Sequence, residues 1–133
     1  MSETSKEIGK LSAEGYCCSQ IMVKMGLDAM GDENPELLDA VAGLCNGMHF
    51  GLTCGILTGA ACLLSLFDKH NAAATMIPRL VDWFETRCKE FGDCSCEAII
   101  NENPMNKLER CPLLMEETFE KCRELLAAFG HEI

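Results

Sequence analysis

Ten cysteines stand at positions 17, 18, 45, 54, 62, 88, 94, 96, 111 and 122 of a 133-residue chain, and no two form a Cys-x-x-Cys pair. Paired knuckles of that kind mark thioredoxin-type redox sites and zinc ribbons. Here the thiols are dispersed, so any site must be assembled by folding. A gathered set of thiols supports two chemistries: thiol–disulfide exchange through a stabilised thiolate, or ligation of a metal ion or iron–sulfur cluster. The third possibility is that the cysteines only pack, since free cysteine is among the most buried residue types.

Helical periodicity must position them. Ile8, Leu11, Gly15, Cys18, Met22 and Met25 recur at spacings of three and four, which predicts one helix with Cys18 inward. Asn34-Pro35-Glu36 predicts a helix start, with an Asn cap and Pro in the first turn. Leu38, Val41 and Cys45 form its stripe, and Gly47 closes it. Glycines recur at 43, 47, 51, 55 and 59. Five in one helix would each cost about 1 kcal/mol, so a loop is expected from Gly47 to Thr53. A helix follows from Cys54 to Phe67, with Thr53 as its cap and Gly55 and Gly59 as a small-residue face.

Ile77, Leu80, Val81, Phe84, Cys88 and Phe91 line a further helix that ends at Gly92. Ser95 caps a short one beginning at Cys96, and Cys111-Pro112 is read as opening the last. No segment alternates as a strand does. The expected fold is all-α: a compact bundle of five or six helices forming a single domain over residues 1–133.

This sorting divides the thiols. Cys45, Cys88 and Cys122 lie on apolar stripes and read as buried core residues, as does Cys62. Cys54, Cys96 and Cys111 fall at or beside expected helix starts, where free N–H groups and the helix dipole favour a thiolate. Cys54 is the expected most acidic thiol.

The order of motifs resembles a known family. Tyr16-Cys17-Cys18-Ser19-Gln20 resembles its N-terminal Cys-x-Gln motif. Cys54-Gly55-Ile56-Leu57-Thr58-Gly59 resembles its Cys-Gly-Ala-x-x-Gly motif, with Ile56 in place of Ala. Phe91-Gly92, Cys96 and then Cys111 complete the order. Together they resemble the C_GCAxxG_C_C family of redox-active proteins, small bacterial and archaeal chains. The resemblance implies that Cys18, Cys54, Cys96 and Cys111 are the site residues, with Cys94 as the alternative third thiol. It implies a redox-active thiol site; in the thiol–disulfide reading of that site, Cys54 is the low-pKa attacking thiolate and one of the other three resolves it. The alternative is a metal or iron–sulfur centre on the same four thiolates. Members are often encoded near transporter genes, which implies a redox partner associated with a membrane transporter.

Composition narrows the rest. A net charge of −10 argues against nucleic acid as a partner. The N-terminus lacks a basic region followed by an apolar run, so a cytoplasmic location is expected. Residues 41–67 carry no Asp, Glu, Lys or Arg, long enough to cross a bilayer. Asn46, His49, five glycines and acidic flanks favour a buried core instead. His49, five residues before Cys54, could serve as a base or a ligand but is read rather as a solvent-facing or backbone-bonded loop residue; His70 is read as a helix-end cation and His131 as frayed. There is no P-loop, no HExxH and no Gly-x-Ser-x-Gly elbow.

Overall fold

The computed structural model describes residues 2–133. Its helices are α1 (Glu3–Ala13), α2 (Cys18–Met30), α3 (Pro35–Val41), α4 (Gly55–Phe67), α5 (Lys69–Asn71), α6 (Ile77–Arg87), α7 (Cys96–Ile100) and α8 (Pro104–Ala127). A π-helical turn, Ala72–Met76, makes α5 and α6 one continuous helix over 69–87, so the described residues hold seven helices. The all-α expectation holds. Among the described residues no strand forms, only one isolated bridge, Thr53 to Ser95.

The first expected helix is in fact two. Gly15 takes φ +97, in the left-handed region where glycine is at no disadvantage. The chain turns there, Tyr16 N–H donating to the Leu11 carbonyl at 3.2 Å. Cys17 then caps α2. Its N–H donates to Gln20 Oε1 at 3.1 Å, while Gln20 Nε2 donates to the Leu38 carbonyl at 2.9 Å. The glutamine of the Cys-x-Gln motif thus closes the start of α2 and ties it to α3. Periodicity survived the break because Ile8, Leu11, Met22 and Met25 all face one core.

Asn34 caps α3 as expected, its side chain accepting from Leu37 N–H at 3.1 Å. The same Asn-Pro signal recurs at Asn103-Pro104 and opens α8. Cys111-Pro112 therefore lies inside α8, not at its start. Pro112 leaves the Leu108 carbonyl without its helical donor, and Leu108 sits on the surface with 70% of its area exposed.

α4 begins one residue later than expected, with Cys54 itself as cap and Gly55 as the first helical residue. Its small-residue face packs on α2. A Cβ on Gly59 would stand 2.8 Å from Ser19 Cα and 2.9 Å from the Ser19 carbonyl oxygen. No described helix is long and apolar enough to cross a membrane, so the uncharged run forms no such span. Leu63, Leu64 and Ile56 of that run are fully buried.

The loop over 46–53 contains a run of left-handed residues: Asn46, Gly47, Met48 and His49, and then Gly51. Two of them, Met48 and His49, have no glycine-like freedom. His49 Nε2 lies 3.1 Å from the Ala42 carbonyl, so it is backbone-bonded. Met48 is more than half exposed and supports nothing that compensates its strain. Met48→Gly is expected to raise stability by about 0.5–1 kcal/mol, read as a higher urea midpoint with unchanged slope.

Cys45, Cys88 and Cys122 are buried, as expected. Cys62 is not: it is half-buried beside a smaller cluster of Val23, Leu27, Leu38 and Val41. His131 is held too, its Nε2 3.2 Å from Asp68 Oδ2 and its ring edge-on to Phe67. Asp68 reaches it because it also caps α5.

Candidate functional site

Three of the four candidate thiols stand at helix starts. Cys18 is the first residue of α2, Cys54 caps α4 and Cys96 is the first residue of α7. Ser95 caps α7 as expected, its Oγ accepting from Ala98 N–H at 3.0 Å. Cys111 comes from within α8. Two backbone hydrogen bonds flank the Thr53–Ser95 bridge and join the approach to α4 to the approach to α7. Cys54 N–H donates to the Cys94 carbonyl at 3.0 Å, and Cys96 N–H to the Leu52 carbonyl at 2.7 Å. α7 is docked on α8 by Arg110, which donates to the Ile99 carbonyl at 2.8 Å, and by Asn106, which donates to Ile100 at 2.8 Å.

These constraints bring Cys18, Cys54, Cys96 and Cys111 to the wall of one cavity of about 160 Å³. Four residues separated by up to most of the chain face a common space. Cys94 is not on that wall; it packs toward the main core, beside Cys88. The cavity is smaller than the roughly 300–1,000 Å³ of sites for drug-sized ligands. It suits a small thiol or the tip of a side chain.

Gly55 explains the Cys-Gly pair. A Cβ there would stand 2.7 Å from Cys18 Sγ and 2.9 Å from the Leu44 carbonyl oxygen. The missing side chain is what lets the Cys18 sulfur lie against the first turn of α4, next to Cys54.

The electrostatics correct one expectation. Cys54 is only 4% exposed, and burial pushes its thiol well above the ordinary range. The Ile56 N–H at the helix start draws it down and the nearby Cys18 and Cys111 sulfurs push it up again. Desolvation of a thiolate outweighs the helix start, so Cys54 is not the most acidic thiol. Burial also raises Cys111, to about 11, with Cys18 and Cys96 adding to it; Lys107 and Arg110 draw it back. Cys96 is raised by burial and Cys18, and lowered by Lys107.

Lys107 is the residue that sequence reasoning missed. It lines the cavity, and its Nζ donates to Asn46 Oδ1 at 3.0 Å across the mouth. It lies one helical turn before Cys111, on the same face. The Asn103-Pro104 start would have revealed that spacing.

The structure also joins Cys17 and Cys45 in a disulfide. Neither was a candidate. Cys17 lies on the cavity wall as well, and Cys45 is buried with Ser19 Oγ 2.9 Å from its sulfur.

Among the described residues no group of three or more His, Cys, Asp or Glu side chains stands close enough together to hold a metal ion. As placed, the four thiols therefore do not fit a metal ion.

A family model described as "Putative redox-active protein (C_GCAxxG_C_C)" matches residues 16–125. No curated protein and no solved structure matches the chain.

Proposed function

Because the chain belongs to the C_GCAxxG_C_C family of putative redox-active proteins, we propose that its cavity thiols carry out thiol–disulfide electron transfer. The observation that supports this most is the meeting of Cys18, Cys54, Cys96 and Cys111 on one cavity wall. Cys18 is the attacking thiol in this reading. It is partly exposed, whereas Cys54 is buried, and attack requires access as well as a thiolate.

The step balances within the protein and its partner. Cys18 thiolate attacks a disulfide on the partner, forming a mixed disulfide and releasing one partner thiolate. Cys54, adjacent through Gly55, then attacks the Cys18 sulfur. A Cys18–Cys54 disulfide forms, the second partner thiol leaves, and the partner gains two electrons and two protons. Lys107, beside Cys96 and Cys111, stabilises a thiolate on that side of the cavity. A protein partner, of the transporter-associated kind that the family resemblance implies, approaches over Leu108 at the exposed rim.

The test is mapping by mass spectrometry. In reduced protein, Cys18 and Cys96 are expected to be alkylated faster than Cys54 and Cys122. Mild oxidation is expected to join Cys18 to Cys54, and to leave Cys88 and Cys122 free. The absence of any bridge among the four cavity thiols sinks this reading. Joint protection of all four that ends only on chelation replaces it with the metal reading.

A further inference from the structure

The Cys17–Cys45 disulfide lies outside the four-thiol set, yet it shares that set's cavity. Cys17 is on the wall beside Cys18. On the other side of the bond, a Cβ placed on Gly55 would meet Cys18 Sγ at 2.7 Å and Cys45 Cα at 3.4 Å. The sulfur of Cys18 and the backbone of Cys45 therefore occupy one notch on the first turn of α4. Cys18 thus stands between the Cys17–Cys45 disulfide on one side and the Cys54 thiol on the other.

The surroundings suit both states of the bond. Ser19 is fully buried, its Oγ donating to the Val41 carbonyl at 2.7 Å and lying 2.9 Å from Cys45 Sγ. With its proton committed to Val41, Ser19 Oγ is an acceptor for the S–H of a reduced Cys45. Cys17 is the cap of the 13-residue α2, where first-turn N–H groups favour it as a departing thiolate. The cavity gives that thiolate somewhere to go.

We infer that the Cys17–Cys45 disulfide is a second redox couple that exchanges electrons with the cavity through Cys18. This rests on the thiol–disulfide reading above. Cys18 thiolate attacks the Cys45 sulfur; the Cys17–Cys45 bond breaks, a Cys18–Cys45 bond forms and Cys17 leaves as the thiolate. Cys54 thiolate then attacks the Cys18 sulfur and releases Cys45. The products are a Cys18–Cys54 disulfide and two thiols at 17 and 45, which take up the protons lost by 18 and 54. Two electrons pass from the cavity pair to the 17–45 pair, and no outside oxidant is consumed.

The experiment follows reduction of the Cys17–Cys45 bond by dithiothreitol in the full chain, with peptide mapping after acid quench. Cys18→Ser is expected to slow that reduction at least tenfold, because it removes the route to buried Cys45. Cys62→Ser, which lies off the cavity wall beside the smaller cluster of Val23, Leu27, Leu38 and Val41, is expected to leave the rate within twofold. Cys54→Ser, which lacks the resolving thiol, is expected to accumulate the Cys18–Cys45 bridge. Equal rates in wild type and a folded Cys18→Ser overturn the relay, as does a Cys54→Ser protein that holds only the 17–45 bond. A Cys17→Ser/Cys45→Ser variant separates the two readings. If mild oxidation still bridges its cavity thiols while the relay tests fail, the relay alone falls. If no cavity bridge forms, the reading beneath it falls too.

Discussion

Gly59→Ala is expected to destabilise the protein by about 1–3 kcal/mol, the usual cost of overpacking a close contact. Alanine is ordinarily the better helix residue by about 1 kcal/mol, so the sign is reversed by tertiary packing. The added Cβ would stand 2.8 Å from Ser19 Cα and 2.9 Å from the Ser19 carbonyl oxygen. Both are backbone atoms, so no side-chain rotation relieves the clash and α2 must move away from α4. Gly59→Leu should cost at least as much. Gly9 provides the control: it lies in α1 with nothing within 4 Å of a Cβ, and Gly9→Ala should stabilise by roughly 0.5–1 kcal/mol. Melting temperatures of the two variants should move in opposite directions. An unchanged or raised melting temperature in Gly59→Ala would show that the two helices do not approach as described.

Raising the pH from 8 to 10 is expected to cost several kcal/mol of stability through the thiols that burial raises most, Cys54, Cys88, Cys111 and Cys122. Burial pushes Cys122 up to about 12 and drives Cys54 in the same direction. In the unfolded chain both titrate near the ordinary value of about 8.5. Between those limits the unfolded state has released protons that the folded state retains. Stability therefore falls as pH rises. The contribution is intact below about pH 8 and declines from there toward the folded values. Each thiol accounts for roughly 1.4–2 kcal/mol over this interval. Denaturant midpoints at the two pH values measure it. Cys122→Ala, though less stable overall, should lose roughly 1.4–2 kcal/mol less on going to pH 10; an undiminished loss would remove this buried thiol as a cause.

Much of this molecule is legible in its sequence because the relevant physics is local. An Asn followed by Pro caps and starts α3 within four residues, and Ser95 caps α7 the same way. Apolar spacing identifies Ile8, Leu11, Leu80, Phe84 and Phe119 as core because a helix repeats every 3.6 residues whatever lies opposite it. The Cys-Gly-x-x-x-Gly pattern points to the small-residue face of α4, and the ordered cysteines point to the family. Where local reading failed, a local signal was outweighed or overlooked. Gly15 fitted the stripe but took the left-handed turn that ends α1. Pro112 was given the role that Pro104 plays.

The sequence by itself determined that the chain is helical, where α3 and α7 begin, and that Cys18, Cys54, Cys96 and Cys111 form an ordered set. Only the tertiary structure decided that these four share a cavity, that Gly55 seats the Cys18 sulfur, and that Cys17 bonds Cys45 across 28 residues. It also decided the thiol chemistry. A helix start lowers a thiol's pKa through a few N–H groups that can be read from neighbouring residues. Burial raises it through everything that excludes water, and at Cys54 that shell comes from helices distant in the chain. Desolvation is a sum over the whole fold, and no spacing along the sequence contains it.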